Sequence, residues 1–311
     1  MDKILLKFSN AIISNINNTT DIGLFNGKMG ITIFLYEYSR YTHNKLYEDM
    51  ADNLLDQIFS QSENIVHTSV SHGYAGIGIG LMYIMKRGFV IGDANDVLHE
   101  IDSRLFDNFT YTVINDSIAS EKLLSAGLYF AHRVSYPLLN SYRKNVKEEI
   151  RNMIYLFLLN YKNFKSSLEL IMMINSILYI TKKIDLSEDE SINVHLDELI
   201  NYICDNEQLS YLDGRMMFLS LSAFSLLSNR NHIVQSKDIY VNKMNDNEFI
   251  SYDLIKFLWM DFIFEIRNYY HVYDNFVSKF MYETDNNFNY YLDIINSGLS
   301  ILGIRMLNGL K

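Results

Sequence analysis

Gly23-Leu24-Phe25-Asn26-Gly27-Lys28-Met29-Gly30, running on into Ile31-Thr32-Ile33-Phe34-Leu35-Tyr36, decides the reading of the fold. Three glycines lead into an apolar stretch with no proline and no strict alternation, the pattern of a buried helix entered through a tight turn. The device returns 50 residues later as Gly73-Tyr74-Ala75-Gly76-Ile77-Gly78-Ile79-Gly80, continuing into Leu81-Met82-Tyr83. Further glycines stand at Gly127, Gly214 and Gly298 through Gly303, each followed by an apolar, helix-like stretch. The starting positions 23, 73, 127, 214 and 298 are separated by 50, 54, 87 and 84 residues. Each long interval is close to twice 42 and holds one further apolar helix without the glycine, near Ser167–Ile180 and Ser251–Ile266. The recurrence predicts seven units of two helices.

The rest of the chain agrees with an all-α class. Pro137 is the single proline in 311 residues, against a usual share of about 5%. Ile150–Leu159, Leu168–Ile180, Met216–Leu227 and Tyr252–Ile266 carry apolar residues at three- and four-residue spacing. Small residues in the first turn of an inner helix let neighbours approach closely there and turn free N–H groups toward the space the helix ends surround. Repeated hairpins with apolar inner and amphipathic outer helices are expected to close into an (α/α) toroid, a single domain over residues 1–311.

Composition narrows the function. Twenty-seven basic against 37 acidic residues give a formal charge of −10, which argues against a nucleic-acid binder that must neutralise phosphates. A hydrophobic share of 49% supplies ample core. The single Cys204 excludes a disulfide framework within the chain and reads as a small buried hydrophobe. Charges at Asp2, Lys3 and Lys7 break any signal-peptide core, and the longest apolar stretches are interrupted by Asn175, Asp261 or Glu265. No membrane span is expected, since a bilayer requires roughly 20 apolar residues; the expected location is cytoplasmic. The eight histidines show no metal-ligand spacing. The acidic stretches Asp93–Asp102 and Glu188–Glu190 read as solvated faces.

With these pieces in order, the sequence resembles the lanthionine synthetase C-like (LanC-like) family, the cyclases of lanthipeptide biosynthesis. The likeness rests on Gly23–Phe34 with Tyr36-Glu37-Tyr38, on Gly73–Tyr83 with Gly88-Phe89-Val90 and Asp96–Asp102, on Gly127–Phe130 with Arg133, and on Ser297–Leu307. From about Ser141 to Glu283 only the rhythm matches. The resemblance implies an (α/α) toroid of about seven inner and seven outer helices. Zinc-dependent members carry Trp-Cys-Tyr-Gly in the fifth unit and Cys-His-Gly in the sixth. Here the fifth unit reads Tyr211-Leu212-Asp213-Gly214, and around Ser251-Tyr252-Asp253 there is neither Cys, His nor Gly. The expectation is therefore no metal and no cofactor.

Five residues are candidates for what remains. His72, directly before Gly73, stands at a helix entrance, where a neutral imidazole can take a proton from a thiol; the plainer reading is that Ser71 or His72 caps the helix. Asp213 and Arg215 flank Gly214 and suit a substrate amide, or else form a surface ion pair. Tyr74 and Tyr211 beside the turns offer aromatic contact area.

Three functions follow from these residues. The favoured one is a non-catalytic pseudoenzyme that binds a peptide substrate or a partner modification enzyme of a ribosomal peptide pathway. The alternative is a zinc-independent lanthipeptide cyclase that adds Cys thiols to dehydroamino acids. It needs another means of ionising a thiol of ordinary pKa about 8.5. An unrelated toroid, a glycoside hydrolase or terpene-type cyclase, needs paired carboxylates; Asp213, Asp253 and Asp261 are the nearest candidates, and Trp259 is the sole tryptophan. The metal expectation has a direct check: elemental analysis of purified protein should find no stoichiometric zinc, and one tightly held zinc lost on mutating Cys204 or His72 would show the units to be misaligned.

Overall fold

The computed structural model describes residues 2–25, 27–62, 67–111, 117–160, 167–186, 189–205, 252–265 and 292–309. Every regular element among them is helical. In chain order they are α1 (Asp2–Asn15), a 3-10 turn (Ile16–Asn18), α2 (Lys28–Thr42), α3 (Lys45–Ser62), α4 (Tyr74–Lys86), α5 (Ala94–Tyr111), α6 (Ser117–Arg133), α7 (Asn140–Asn160), α8 (Ser167–Lys183), α9 (Glu190–Asp205), α10 (Tyr252–Ile263) and α11 (Leu292–Gly309). The expected Met216–Leu227 helix lies outside the described residues. The chain forms two compact units, one of residues 1–93 with 250–311, the other of residues 94–249.

In the first unit α2 is buried along every residue from Lys28 to Ser39, and α4 from Tyr74 to Met82. A helix apolar on all sides must be enclosed. α2 is enclosed by α1, α3, α4 and α11, and α11 packs in turn on α1 and α10. α3 buries only Ala51, Leu54, Leu55 and Ile58, the stripe of a helix with one wet face. The second unit repeats the contrast. Leu128 to Ala131 of α6 and Met173 to Thr181 of α8 are buried without interruption, whereas α7 buries Val146, Ile150, Met153, Ile154, Phe157 and Leu158 at helical spacing. α6 packs on α5, α7 and α8, and α9 lies on α7.

The glycines divide into two kinds. Gly27 and Gly73 are the residues from which α2 and α4 start, as the recurrence predicts. Gly127 and Gly303 instead lie well inside α6 and α11. A Cβ on Gly127 would come within 2.8 Å of Met153 Cε and 3.0 Å of Ile180 Cδ1, and one on Gly303 within 2.3 Å of Phe34 Cε2. These interior glycines make room for a neighbour's side chain, which a pattern of helix starts does not distinguish.

Helix ends follow local rules. After α4, Gly88 adopts φ 71°, the Gly88 N–H donates to Met85 O and the Phe89 N–H to Ile84 O, a Schellman stop. After α8, Asp185 takes φ 57° and the Leu186 N–H donates to Thr181 O; after α10, Glu265 takes φ 55°.

Each unit also buries one carboxylate clamped by a tyrosine and an arginine four residues apart. In the first, Glu37 is 2% exposed; Arg87 reaches it through Nε at 2.6 Å and Nη2 at 2.9 Å, and the Tyr83 hydroxyl donates at 2.8 Å. In the second, Arg133 is 1% exposed and its Nε donates to Asp102 Oδ2 at 3.0 Å, while the Tyr129 hydroxyl donates to Oδ1 at 2.6 Å. Arg133 Nη2 further donates to Asn95 Oδ1 at 2.7 Å. Burial pushes the Asp102 carboxyl up, against the pull of Tyr129 and Arg133. Burial and the facing carboxylates push Tyr83 and Tyr129 up as well. Removing one partner of such a pair strands the other without water. Asp102→Ala is expected to cost about 3–5 kcal/mol, read as a lowered urea midpoint; a loss below about 1 kcal/mol would show that the Arg133 guanidinium finds other acceptors.

Candidate functional site

Two loops of the first unit meet at the starts of α2 and α4. The segment from Thr19 to Gly27 enters α2, and that from His67 to Gly73 enters α4. Their backbones touch directly: the Phe25 N–H donates to Ser71 O at 3.1 Å. A Cβ on Gly23 would lie 2.3 Å from Ser71 O and 2.5 Å from His72 Cα. Glycine is thus required at position 23 for close approach.

Each loop is tied to the helix it precedes. The Asp21 carbonyl accepts from the Lys28 N–H at 2.9 Å, and Asp21 Oδ1 accepts from the Gly23 N–H at 2.6 Å, an Asx turn. In the second loop the Ser69 carbonyl accepts from the Gly73 N–H at 3.0 Å, the Ser69 hydroxyl oxygen from the His72 N–H at 3.2 Å, and the His67 carbonyl from the Tyr74 N–H at 3.2 Å. Neither Gly27 nor Gly73, the N-cap residues, offers a side-chain cap.

Between the loops, His72 Nδ1 and Asp21 Oδ2 form a short hydrogen bond. The pair is open to solvent, with the His72 side chain 41% and the Asp21 side chain 29% exposed. His72 is therefore not a cap. Its backbone N–H is held by Ser69, and its ring is turned to a carboxylate 51 positions earlier in the chain.

Around this pair the surroundings are buried. Tyr74 is 3% exposed, and its hydroxyl donates to the Ser62 carbonyl at 2.6 Å, which fixes the last turn of α3 against α4. Lys28 is 7% exposed, and its ammonium donates to Gln61 Oε1 at 3.3 Å. Burial pushes the Lys28 amine down from its usual value. Both side chains gather at the carboxyl end of α3, the favourable end for a cation.

Of the residues singled out in the sequence, the structure places His72 and Tyr74 on either side of the N-cap Gly73, one open and one buried. Asp213, Arg215 and Tyr211 lie outside the described residues. Cys204 falls within α9, and Asp261 is buried in α10. Among the described residues no three His, Cys, Asp or Glu side chains gather as a metal cluster. Asp21 was missed by sequence reasoning: Asp-Ile-Gly signals a turn, but nothing in it announces an imidazole partner from another loop.

Comparison of the chain with known protein families, with curated proteins and with solved structures finds no match to any of the three.

The backbone contact can be tested by one methyl group. Gly23→Ala is expected to lower stability by about 1–3 kcal/mol through overpacking. It should also abolish hydrogen-exchange protection at the Phe25 amide; unchanged protection would show that the two loops do not depend on each other.

Proposed function

We propose that this chain is a divergent LanC-like protein, a single toroidal domain of inner and outer helices, whose task is to bind a peptide or a partner modification enzyme without zinc. The observation that carries the reading is the joined entrance of α2 and α4. Two glycine-started helices are brought together there by the Phe25 to Ser71 bond, with a solvent-open polar pair between them. Helix N-termini present N–H donors suited to carbonyl or carboxylate groups, of which a peptide has many. The alternation of enclosed helices, α2, α4, α6 and α8, with one-faced ones such as α3 and α7 supports the inner and outer rings of a toroid. Tyr211, Asp213 and Arg215 are proposed as further binding residues, and the proposed setting is the cytoplasm. No described helix is long and apolar enough to cross a membrane.

A second reading, zinc-independent thioether formation, is favoured by one observation, the carboxylate of Asp21 on the ring of His72. An oriented imidazole is one way to move a thiol proton in the absence of a metal.

The experiment is to supply a dehydrated precursor peptide from the same genome neighbourhood, measure binding by fluorescence anisotropy, and follow free thiol by alkylation and mass spectrometry. Binding without thiol loss is the expected outcome of the first reading. Thiol consumption above background that vanishes in His72→Ala selects the second, and failure to bind any such peptide overturns both.

A further inference from the structure

We propose that the Lys28 side chain is a nucleophilic amine, and that the ligand it takes is a small uncharged aldehyde, held as an imine beneath the exposed amide of Gln61. This site lies where the start of α2 meets the carboxyl end of α3, and it does not depend on a peptide reaching the entrance of α2 and α4.

Lys28 is 7% exposed, and of the three N–H donors an ammonium carries, one meets Gln61 Oε1, a neutral oxygen, at 3.3 Å. The described residues offer this ammonium no carboxylate, although they give one to Arg87, in Glu37, and one to Arg133, in Asp102. The carbonyls at the carboxyl end of α3 attract a cation, but hydroxyl groups already bond to them. The Tyr74 hydroxyl donates to Ser62 O at 2.6 Å, Ser62 Oγ to Phe59 O at 2.7 Å and Ser60 Oγ to Gln57 O at 3.0 Å. A charged head is poorly served in such a place, and burial pushes the Lys28 amine below the ordinary lysine range. A desolvated lysine that has lost its proton is a nucleophile.

The cover over this amine is a surface side chain. Gln61 is exposed in the last turn of α3, so a rotation of its amide opens the way to Nζ. A packing role accounts for less of this arrangement. The four methylenes of a lysine stem fill space as a methionine would, while the amine at its end adds a cost of desolvation that no ion pair among the described residues offsets.

The same surroundings select the ligand. Gln61 Oε1 and the last turn of α3 present oxygen, and the carboxyl end of a helix carries partial negative charge, so an α-keto acid is disfavoured against an uncharged aldehyde. In the step, the Nζ lone pair adds to the aldehyde carbon while the π pair moves onto oxygen, and a proton passes from nitrogen to that oxygen through water. The carbinolamine then expels water, the leaving hydroxyl taking up one proton and the nitrogen giving up its last one as the C=N bond closes. One amine and one aldehyde give one imine and one water, and no oxidant or reductant is needed.

The test uses the full chain with propionaldehyde and cyanoborohydride, which reduces the imine to a stable secondary amine, followed by proteolysis and mass spectrometry. At neutral pH Lys28 is expected to be trapped about tenfold faster than the exposed Lys45 and Lys122. As pH rises its trapping should level off at a lower pH than theirs, because an amine reacts only once its proton has left and Lys28 loses its proton earlier. Gln61→Glu, a change at an exposed position, places a carboxylate on the amine. It should restore the ammonium, slow trapping about tenfold and move the pH profile toward that of the exposed lysines. A lysine held for packing alone would show no such shift. Lys28→Met should remove the adduct, with circular dichroism establishing that both variants are folded. With pyruvate in place of propionaldehyde, the preference for Lys28 over free Nα-acetyllysine amide should fall severalfold. Trapping of Lys28 no faster than of Lys45, or a pH profile unmoved in Gln61→Glu, overturns the proposal; a preference for pyruvate overturns the choice of an uncharged ligand.

Discussion

At Phe25 and Gly23 the backbone of the loop that enters α2 lies directly on the backbone of the loop that enters α4, and much of the first unit follows from that contact. At Gly23 even a methyl group would fall 2.3 Å from Ser71 O, far inside van der Waals contact. Because the loops touch there, α2 and α4 begin side by side, and Asp21 on one loop faces His72 on the other. Lys28 and Tyr74, the first residues of the two helices, then reach the same end of α3, one through Gln61 and one through the Ser62 carbonyl. The one-faced helix α3 is thus fastened at its carboxyl end by the starts of two enclosed helices.

Enclosing whole helices raises the question of where their polar groups go, since a buried ion without a partner is costly. The chain answers in the same way twice. Glu37 meets Tyr83 and Arg87, and Asp102 meets Tyr129 and Arg133. In both cases the tyrosine and arginine stand four residues apart at the end of an enclosed helix, on one face, so that hydroxyl and guanidinium converge on one carboxylate. The clamp recurs in two units that share no long stretch of sequence, as expected where the same packing problem has one compact solution.

How much of this was legible in the sequence depends on the distance over which each signal acts. Helix class was legible because its signals are local: apolar spacing along Ile150–Leu159 and the near-absence of proline both act within a few turns. The glycine starts at Gly27 and Gly73 were legible for the same reason. Gly127 and Gly303 were not assigned correctly to helix interiors, since what requires them is Met153, Ile180 or Phe34 from other helices. His72 was singled out by its place before Gly73, yet its partner Asp21 was invisible, because the two are 51 positions apart and meet only through a loop-to-loop contact. Tyr74 reads in sequence as an aromatic at an open turn, and its burial depends on α3, which the turn itself does not mention.

Trp259 carries a consequence of its own. It is the sole tryptophan of the chain, fully buried, stacked on Phe25 at a centroid distance of 5.8 Å and lying against the Cα of Gly30. The indole therefore touches both the loop that enters α2 and the first turn of that helix. Its indole emission comes from one place only, so the tryptophan fluorescence, excited selectively over the 23 tyrosines, is a built-in optical reporter of that loop. Any event that parts Phe25 from the ring would register as a change in intensity or a red shift, with no label added.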